Sequence, residues 1–287
     1  MIFSQGKKMK RVLSIQDISC VGKCSLTVAL PIVSAAGIET AILPTAVLSN
    51  HTAFKSFTFR DLTDDIPDIV QHWKDENITF DGIYTGYLGS FRQIELVEAI
   101  FEEFDHPGMF RFVDPAMADN GKLYPGFDEA FAKRMGGLCG KADIIVPNLT
   151  EAAFMLGEEY IGDKNYSIED IKALLKRLCK LGARIAVLTG ISPEKGKYGA
   201  MAYDSVKDED CEYYSEHLPV SFHGTGDVFA SGCFAGLMHG QSLSGALKTA
   251  VEFTVDSIKQ TISEPEPIWY GVNFEKALPK LIELLKE

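Results

Sequence analysis

The sequence predicts an α/β protein of three layers, with a mostly parallel central sheet and helices on both faces. Two observations carry that expectation. Short apolar runs alternate along the whole chain with longer stretches of helical periodicity, the pattern of repeated strand–helix units. Most of these runs are unbroken rather than alternating apolar with polar, as in strands buried on both faces. No internal repeat or low-complexity linker interrupts the 287 residues. Residues 10–287 therefore read as one domain, preceded by a disordered tail at residues 1–9.

The elements follow in order. Residues 11–16 read as a first buried strand, followed by a loop of small and polar residues. A helix over 25–36 ends at Gly37, a residue suited to a helix C-terminus. A second strand spans 40–47. Helices over 62–73 and 91–104 flank a strand at 82–85, and another strand covers 109–114. A helix at 128–138, a strand at 143–146 and a short helix at 150–156 come next. Ser167 followed by Asp170 resembles a capping box that opens a helix through Leu181. After a strand at 184–189, residues 199–203 and 212–217 look like an antiparallel pair joined by the acidic turn 207–210. The last helices start at Thr225, Ser242 and Asn273, with Pro265 and Pro267 in the loop between the final two.

Composition narrows the function. The chain is 46% hydrophobic, enough for a large core, and its formal net charge is −12. A nucleic-acid backbone would be repelled by such a surface, so nucleic acid is not an expected partner. No apolar stretch suits a membrane span, because the longest, 28–38, is short and contains Pro31. The N-terminus lacks the apolar core of a signal peptide. The six cysteines (Cys20, Cys24, Cys139, Cys179, Cys211 and Cys233) show no metal-type pairing. They read as reduced thiols of a cytoplasmic protein.

The most informative stretch is residues 223–240, HGTGDVFASGCFAGLMHG. Gly224, Thr225, Gly226 and Asp227 stand directly before a helical pattern, where free backbone N–H groups converge on one spot that favours an anion. An aspartate there is a poor phosphate ligand, because like charges repel. It is well placed as a base beside a phosphoryl group in transfer, which points to a kinase acting on a hydroxyl. The plainer alternative is that Asp227 only caps the helix. In a parallel sheet ligands bind beyond the carboxyl ends of the strands. That rule singles out Asp17, residues 50–52, Gly86, Tyr87, residues 114–120 and 147–151, Thr189 and Gly190, which hold most of the unusual polar residues of the chain.

Six stretches then fall together: VLSIQD (12–17), LSNHT (48–52), TGYLGS (85–90), DPAMADNGKLY (114–124), PNLTEA (147–152) and GTGDVFASG (224–232). In this order, over about four-fifths of the chain, they resemble the pyridoxal kinases of the ribokinase-like superfamily. GTGD is shared by many small-molecule kinases of that superfamily, whereas SIQ, SNHT, TGY and DNGKLY together are much more specific to its vitamin B6 branch. The resemblance implies a three-layer ribokinase-like kinase domain that uses ATP and Mg²⁺, with a monovalent cation, to phosphorylate the 5′-hydroxymethyl group of pyridoxal, pyridoxine or pyridoxamine. It implies a homodimer, with residues 40–59 as a contact surface.

By the same resemblance Asp227 is the catalytic base, and Gly224, Thr225 and Gly226 form the anion hole. Asn148, Glu151, Thr189 and Thr225 match ATP-binding positions. Asp114, Asp119 and Glu151 match metal positions, Glu151 acting through water. Asp17, Asn50, Thr52, Tyr87 and Tyr124 match positions that meet the vitamin, with His51 in the same loop and Tyr124 on a segment that closes over the site. Thr150 and Glu151 have the plainer alternative of simply opening a helix. Three positions depart from the family pattern: Asp17 stands where Ser is usual, Ala53 where Gly is common after Thr52, and Ala118 where Gly precedes Asp119. Hydroxymethylpyrimidine kinases share the DP and PN elements, so such a kinase, or one of dual specificity, is the nearest competing reading. A non-catalytic B6-binding protein is the reading from another class.

Overall fold

The computed structural model describes residues 9–162 and 166–286. The expected N-terminal tail lies outside the described residues except for Met9. Chain order begins with β1 (Arg11–Ser19), α1 (Leu26–Ala35), β2 (Glu39–Leu48) and β3 (Phe59–Asp61). There follow α2 (Ile66–Asp75), β4 (Gly82–Thr85), α3 (Phe91–Glu103), β5 (Phe110–Val113), β6 (Ala118–Asp119), β7 (Lys122–Leu123) and α4 (Glu129–Cys139). The second half holds β8 (Ile144–Ile145), α5 (Leu149–Leu156), α6 (Ile168–Cys179), β9 (Ile185–Ile191), β10 (Lys197–Asp204), β11 (Glu209–Glu216), α7 (Thr225–His239), α8 (Leu243–Ile262) and α9 (Phe274–Leu284).

One sheet of nine strands runs β11-β10-β9-β8-β5-β4-β1-β2-β3. Its six central strands, β9 to β2, pair in parallel. β3 and the β10–β11 pair add antiparallel edges. Successive strand residues point to opposite faces, and here they feed two separate cores. Leu13, Ile83, Val113 and Ile145 pack with α2 through α6 on one face. Val12, Tyr84, Phe112 and Ile144 pack with α1, α7, α8 and α9 on the other. This is the predicted three-layer α/β architecture.

The chain first builds outward from β1 through β2 to β3, then returns to the other side of β1 and continues through β4 and β5. The order therefore switches direction between β1 and β4, and in such sheets the crevice outside the strand ends at that switch takes the ligand. A register irregularity between Gln16 and Ile18 in the β1–β2 pairing falls at Asp17. Such irregularities re-aim a side chain where ladder pairing breaks.

Three elements differ from the sequence expectation. β3, with all three residues exposed, has no apolar run to betray it and forms only by pairing with the end of β2. Residues 62–73 divide into a 3₁₀ turn (Thr63–Asp65) and α2, with Pro67 in the helix's first turn, where a missing N–H costs nothing. Within the expected loop 114–120, β6 pairs with β7 across Asn120 and Gly121, both at positive φ (51° and 74°). Asn-Gly is the residue pair that such a two-residue hairpin turn favours.

Candidate active site

α7 opens at Gly224, whose φ of 78° and ψ of 0° place it in the left-handed region, and no side chain caps this helix end. A Cβ on Gly224 would lie 1.8 Å from the Lys23 carbonyl oxygen, whereas one on Gly226 would meet nothing within 4 Å. The first position is closed against protein and the second faces open space. Thr225 spends its hydroxyl on the Phe222 carbonyl (3.2 Å). The first-turn N–H groups are left to satisfy something other than a cap. Such an end can receive an anion.

Asp227 lies in this first turn. It is enclosed by protein yet keeps some accessible surface. Burial pushes its carboxyl up to about 7, the Ser25 backbone N–H donated to it works the other way, and the charge of Asp17 adds to the rise. A carboxyl tuned near neutrality is suited to take a proton from an alcohol.

Asp17 is buried, accepts from the Ser19 hydroxyl (3.3 Å), and has its own pKa raised, chiefly by burial. Tyr87 faces it: burial and then the Asp17 charge raise the Tyr87 phenol. The ring of Tyr87 lies 5.6 Å from that of Phe127. Gly86, just before it, leaves room for Gln16, whose Oε1 would be 2.7 Å from a Cβ there.

Asn148 and Glu151 form a complete capping box on α5. The Asn148 side-chain oxygen accepts from Glu151 N–H (2.9 Å), and Glu151 Oε2 accepts from Asn148 N–H (2.9 Å). Asn148 Nδ2 also donates to the Ala118 carbonyl (2.8 Å), and Glu151 Oε1 accepts from Met117 N–H (3.1 Å). The plainer alternative, that Glu151 opens a helix, is thus present in the geometry, but the box does more, because it pins the β6 segment to α5. Thr150 adds to this by accepting the Gly121 N–H (3.0 Å), a contact that its place in PNLTE did not signal. Thr189 sits beside Asn148 through a parallel bridge and donates its N–H to the Pro147 carbonyl (3.1 Å).

Asp114 is buried at the end of β5, with its pKa raised well above the usual carboxylate range by burial, then by Glu151 and Asp227. Burial likewise pushes Glu151 up to about 8, against the N–H groups it accepts. Tyr124 stands over this group, its phenol raised by burial and by Glu151, Asp119, Asp227 and Asp114 in turn. Asp119 is exposed at the hairpin tip and accepts both the N–H (2.9 Å) and the side-chain amide (3.0 Å) of Asn120. Asp17, Asp114, Glu151, Asp227 and Tyr124 therefore form a chain of groups that feel one another's charge, with Asp119 acting on Tyr124 and Glu151.

The loop of residues 49–58 stands partly apart. Asn50 spends its amide on its own loop, donating to the Ser56 carbonyl (2.9 Å) and accepting the Ser49 hydroxyl (2.7 Å). Thr52 is exposed on the rim. His51 reaches the α7 turn: its ring centroid is 4.9 Å from that of His223, and its Nδ1 accepts the Ala53 N–H (3.0 Å). Burial and His223 lower the His51 pKa.

Carboxylate oxygens are the right donors for Mg²⁺. Among the described residues no trio of His, Cys, Asp or Glu is close enough to ligate a metal directly. Such carboxylates would suit only an ion that keeps its waters and binds phosphate oxygens. The raised pKa values of Asp114 and Glu151 reflect two neighbouring buried carboxylates that a cation would relieve.

The family model described as phosphomethylpyrimidine kinase matches residues 39–266. The chain belongs to the phosphomethylpyrimidine kinase family. It is accordingly a kinase, an enzyme that transfers a phosphoryl group to an alcohol. A candidate phosphomethylpyrimidine kinase from Bacteroides thetaiotaomicron, crystallised in one form with pyridoxal, is 39% identical, with a TM-score of 0.90 and 96% of each chain covered. Pyridoxal kinase from Lactobacillus plantarum superposes with a TM-score of 0.87 at 29% identity, over 96% of this chain and 98% of its own. A pyridoxal kinase from Dictyostelium discoideum is 26% identical over 237 residues, 77% of this chain and 76% of that protein. Among the described residues no helix is long and apolar enough to cross a membrane.

Proposed function

We propose that this kinase phosphorylates the 5′-hydroxymethyl group of a vitamin B6 vitamer, pyridoxal, pyridoxine or pyridoxamine, with ATP. The observation that carries the reading is Asp227 itself, a carboxyl raised to about 7 in the first turn of a helix that no side chain caps, next to Gly226, on which a Cβ would meet nothing within 4 Å. The substrate class is supported by the 39% identical relative crystallised with pyridoxal.

The Asp227 carboxylate accepts the proton of the alcohol as its oxygen attacks the γ-phosphorus. The bond to the β–γ bridging oxygen breaks and ADP leaves. The N–H groups of Thr225, Gly226 and Asp227, fixed by Gly224, stabilise charge on the phosphoryl in transit. Asn148 and Thr189, adjacent at the ends of α5 and β9, line the nucleotide side. Asp17 and Tyr87 meet the ring, with Asn50 and Thr52 on the rim, while Tyr124 covers the cleft and limits water. Asp114, Asp119 and Glu151 would hold Mg²⁺ through water, and the ion when bound neutralises phosphate charge. A monovalent cation beside Asp114 completes the reading.

Residues 10–287 act as one kinase domain in this reading, located in the cytoplasm, consistent with the free cysteines. The enzyme is a homodimer in which exposed Phe57 and Phe59, at the β3 edge, join the contact surface.

A second reading, hydroxymethylpyrimidine kinase activity, is favoured by the family description. A single assay decides. Purified protein with Mg-ATP is offered the three vitamers and hydroxymethylpyrimidine, with Asp227→Asn as control. The expected result is the highest kcat/KM on a B6 vitamer. A higher value on hydroxymethylpyrimidine transfers the assignment to the second reading. Tight pyridoxal phosphate binding without turnover leaves only a binding protein.

A further inference from the structure

The β6–β7 hairpin has a ladder of only two residue pairs, Ala118 with Leu123 and Asp119 with Lys122. A two-stranded hairpin of that size has little stability of its own, so its place is set by what it docks on. Its base is held to α5 by Asn148 Nδ2, which donates to the Ala118 carbonyl (2.8 Å), and by Glu151 Oε1, which accepts the Met117 N–H (3.1 Å). Its turn is held to the same helix by a different residue: Gly121 N–H donates to Thr150 Oγ1 (3.0 Å). Thr150 is only 2% exposed and lies in the first turn of α5, between Asn148 and Glu151 in the chain. Gly121 is at a φ of 74°, and a Cβ on it would lie 2.9 Å from Tyr160 Cδ1, so the turn also abuts the Tyr160 ring.

The two ends of the hairpin carry different site residues. Asp119 flanks the turn, and its two carboxylate oxygens accept the N–H (2.9 Å) and the side-chain amide (3.0 Å) of Asn120, so it follows the turn wherever the turn goes. Tyr124 belongs to the base, where its N–H donates to the Met117 carbonyl (2.8 Å). Releasing the turn while the base stays fixed lets the hairpin pivot, with the largest displacement at Asp119 and the smallest at Tyr124.

We propose that Thr150 is a positioning residue whose hydroxyl seats the hairpin turn on α5 and so sets where Asp119 stands on the nucleotide side. This rests on the reading of Asp119 as a group that holds Mg²⁺ through water, and of Tyr124 as a group on the vitamer side.

Two substitutions isolate the hydroxyl. Thr150→Val keeps the shape of the side chain and removes the acceptor, leaving the Gly121 N–H without a partner. Thr150→Ser keeps the acceptor and loses only a methyl. Thr150→Val is expected to raise the ATP KM by about five- to tenfold, with the vitamer KM within about twofold of wild type, and Thr150→Ser should restore the ATP KM. Amide exchange gives a readout that needs no nucleotide. In the ligand-free protein the Gly121 N–H should exchange slowly in wild type and in Thr150→Ser, and at least about tenfold faster in Thr150→Val. In an Asp119→Ala background Thr150→Val should add less to the ATP KM than it does alone, because it acts through Asp119.

A lower melting temperature in Thr150→Val with a wild-type ATP KM would make Thr150 a purely structural residue and overturn the proposal. So would a Thr150→Ser variant as impaired as Thr150→Val, an equal rise in the two KM values, or additive effects of Thr150→Val and Asp119→Ala. Should Thr150→Val not fold, wild type and Thr150→Ser decide: a Gly121 N–H that exchanges at the rate of a free amide in wild type overturns the proposal, and slow exchange with a wild-type ATP KM in both upholds it. A wild-type ATP KM in Asp119→Ala would overturn it differently, by removing the reading of Asp119 while the exchange pattern at Gly121 stands.

Discussion

Gly224 packs so closely against Lys23 that a Cβ on it would lie 1.8 Å from the Lys23 carbonyl oxygen. The start of α7 is thus built on contact between two turns, one before α1 and one before α7. A side chain at 224 must either displace the Lys23–Ser25 turn or leave the left-handed region that α7 needs. Gly224→Ala should therefore destabilise the fold by roughly 1–3 kcal/mol and abolish turnover. Gly226→Ala is the informative partner, because its Cβ meets no protein atom within 4 Å. It should leave the melting temperature within a few degrees of wild type while kcat falls, since the new methyl enters phosphate space. Melting curves and kcat for both variants check this pair.

The Asp227 carboxyl gives a prediction in pH. Its folded-state pKa of about 7 lies above its ordinary value of 3.8. The folded state then binds more protons than the unfolded one between those values, so stability from this group is full below 3.8 and is lost as pH rises through about 7. Asp227→Asn should remove that loss. Its gain in stability over wild type, measured by denaturation in EDTA, should be larger at pH 8 than at pH 5. The same carboxyl must be ionised to act as base, so wild-type kcat/KM should climb with pH to a bend near 7. Turnover of Asp227→Asn should be about 10²- to 10⁴-fold lower, with ATP affinity little changed. A stability difference that is flat in pH would mean that Asp227 does not titrate in this range.

Much of what gathers at the strand ends was legible in the sequence, for reasons that differ by residue. Gly224 and Asp227 could be read because a glycine turn before a helical period is a local pattern whose consequence, a row of free N–H groups, is also local. Asp17, Tyr87, Asp114 and Asn148 could be read because unbroken apolar strands imply a parallel sheet, and a parallel sheet implies where its ends point. β3 stayed hidden because its exposed residues gain their structure from β2 alone. The β6–β7 hairpin carried an Asn120-Gly121 signal that was readable but sat inside a stretch expected to be loop. The Glu151 capping box showed its sequence signature, but its hold on Met117 is a contact across 34 residues that spacing cannot reveal.

Asp17 should tune the base. Its charge is one of the causes that raise the Asp227 pKa, after burial. Asp17→Asn removes that charge while retaining an acceptor for the Ser19 hydroxyl. The acid-side bend of kcat/KM should therefore move to lower pH than in wild type, and the vitamer KM should rise. Because Asp17 is itself buried with a raised pKa, the variant should also be more stable than wild type above neutral pH, where the buried charge costs most. Full pH–rate profiles of the two proteins on one vitamer test the shift, and a bend that moves upward or stays in place would contradict it.

Asn148 links the nucleotide side to the cover of the cleft, and its two hydrogen-bonding ends can be removed separately. Asn148→Ala deletes both the cap on Glu151 N–H and the donor to the Ala118 carbonyl. A lost cap costs about 1 kcal/mol and an orphaned carbonyl adds about as much again, so a stability loss of roughly 2 kcal/mol is expected. The β6–β7 hairpin, freed at Ala118, should then hold Asp119 and Tyr124 less firmly over the site, and the ATP KM should rise several-fold. Asn148→Asp keeps an acceptor for the cap but puts a second negative charge beside Glu151 and loses the donor to Ala118. It should recover little of the stability above pH 8, where Glu151, with its pKa raised to about 8, is ionised, and more of it below, where Glu151 is protonated and the two carboxyls no longer repel. Denaturation of the three proteins at pH 6 and pH 9 measures that crossover. If Asn148→Asp and Asn148→Ala differ by the same amount at both pH values, the coupling of residue 148 to the Glu151 charge is absent and Asn148 serves only as a cap.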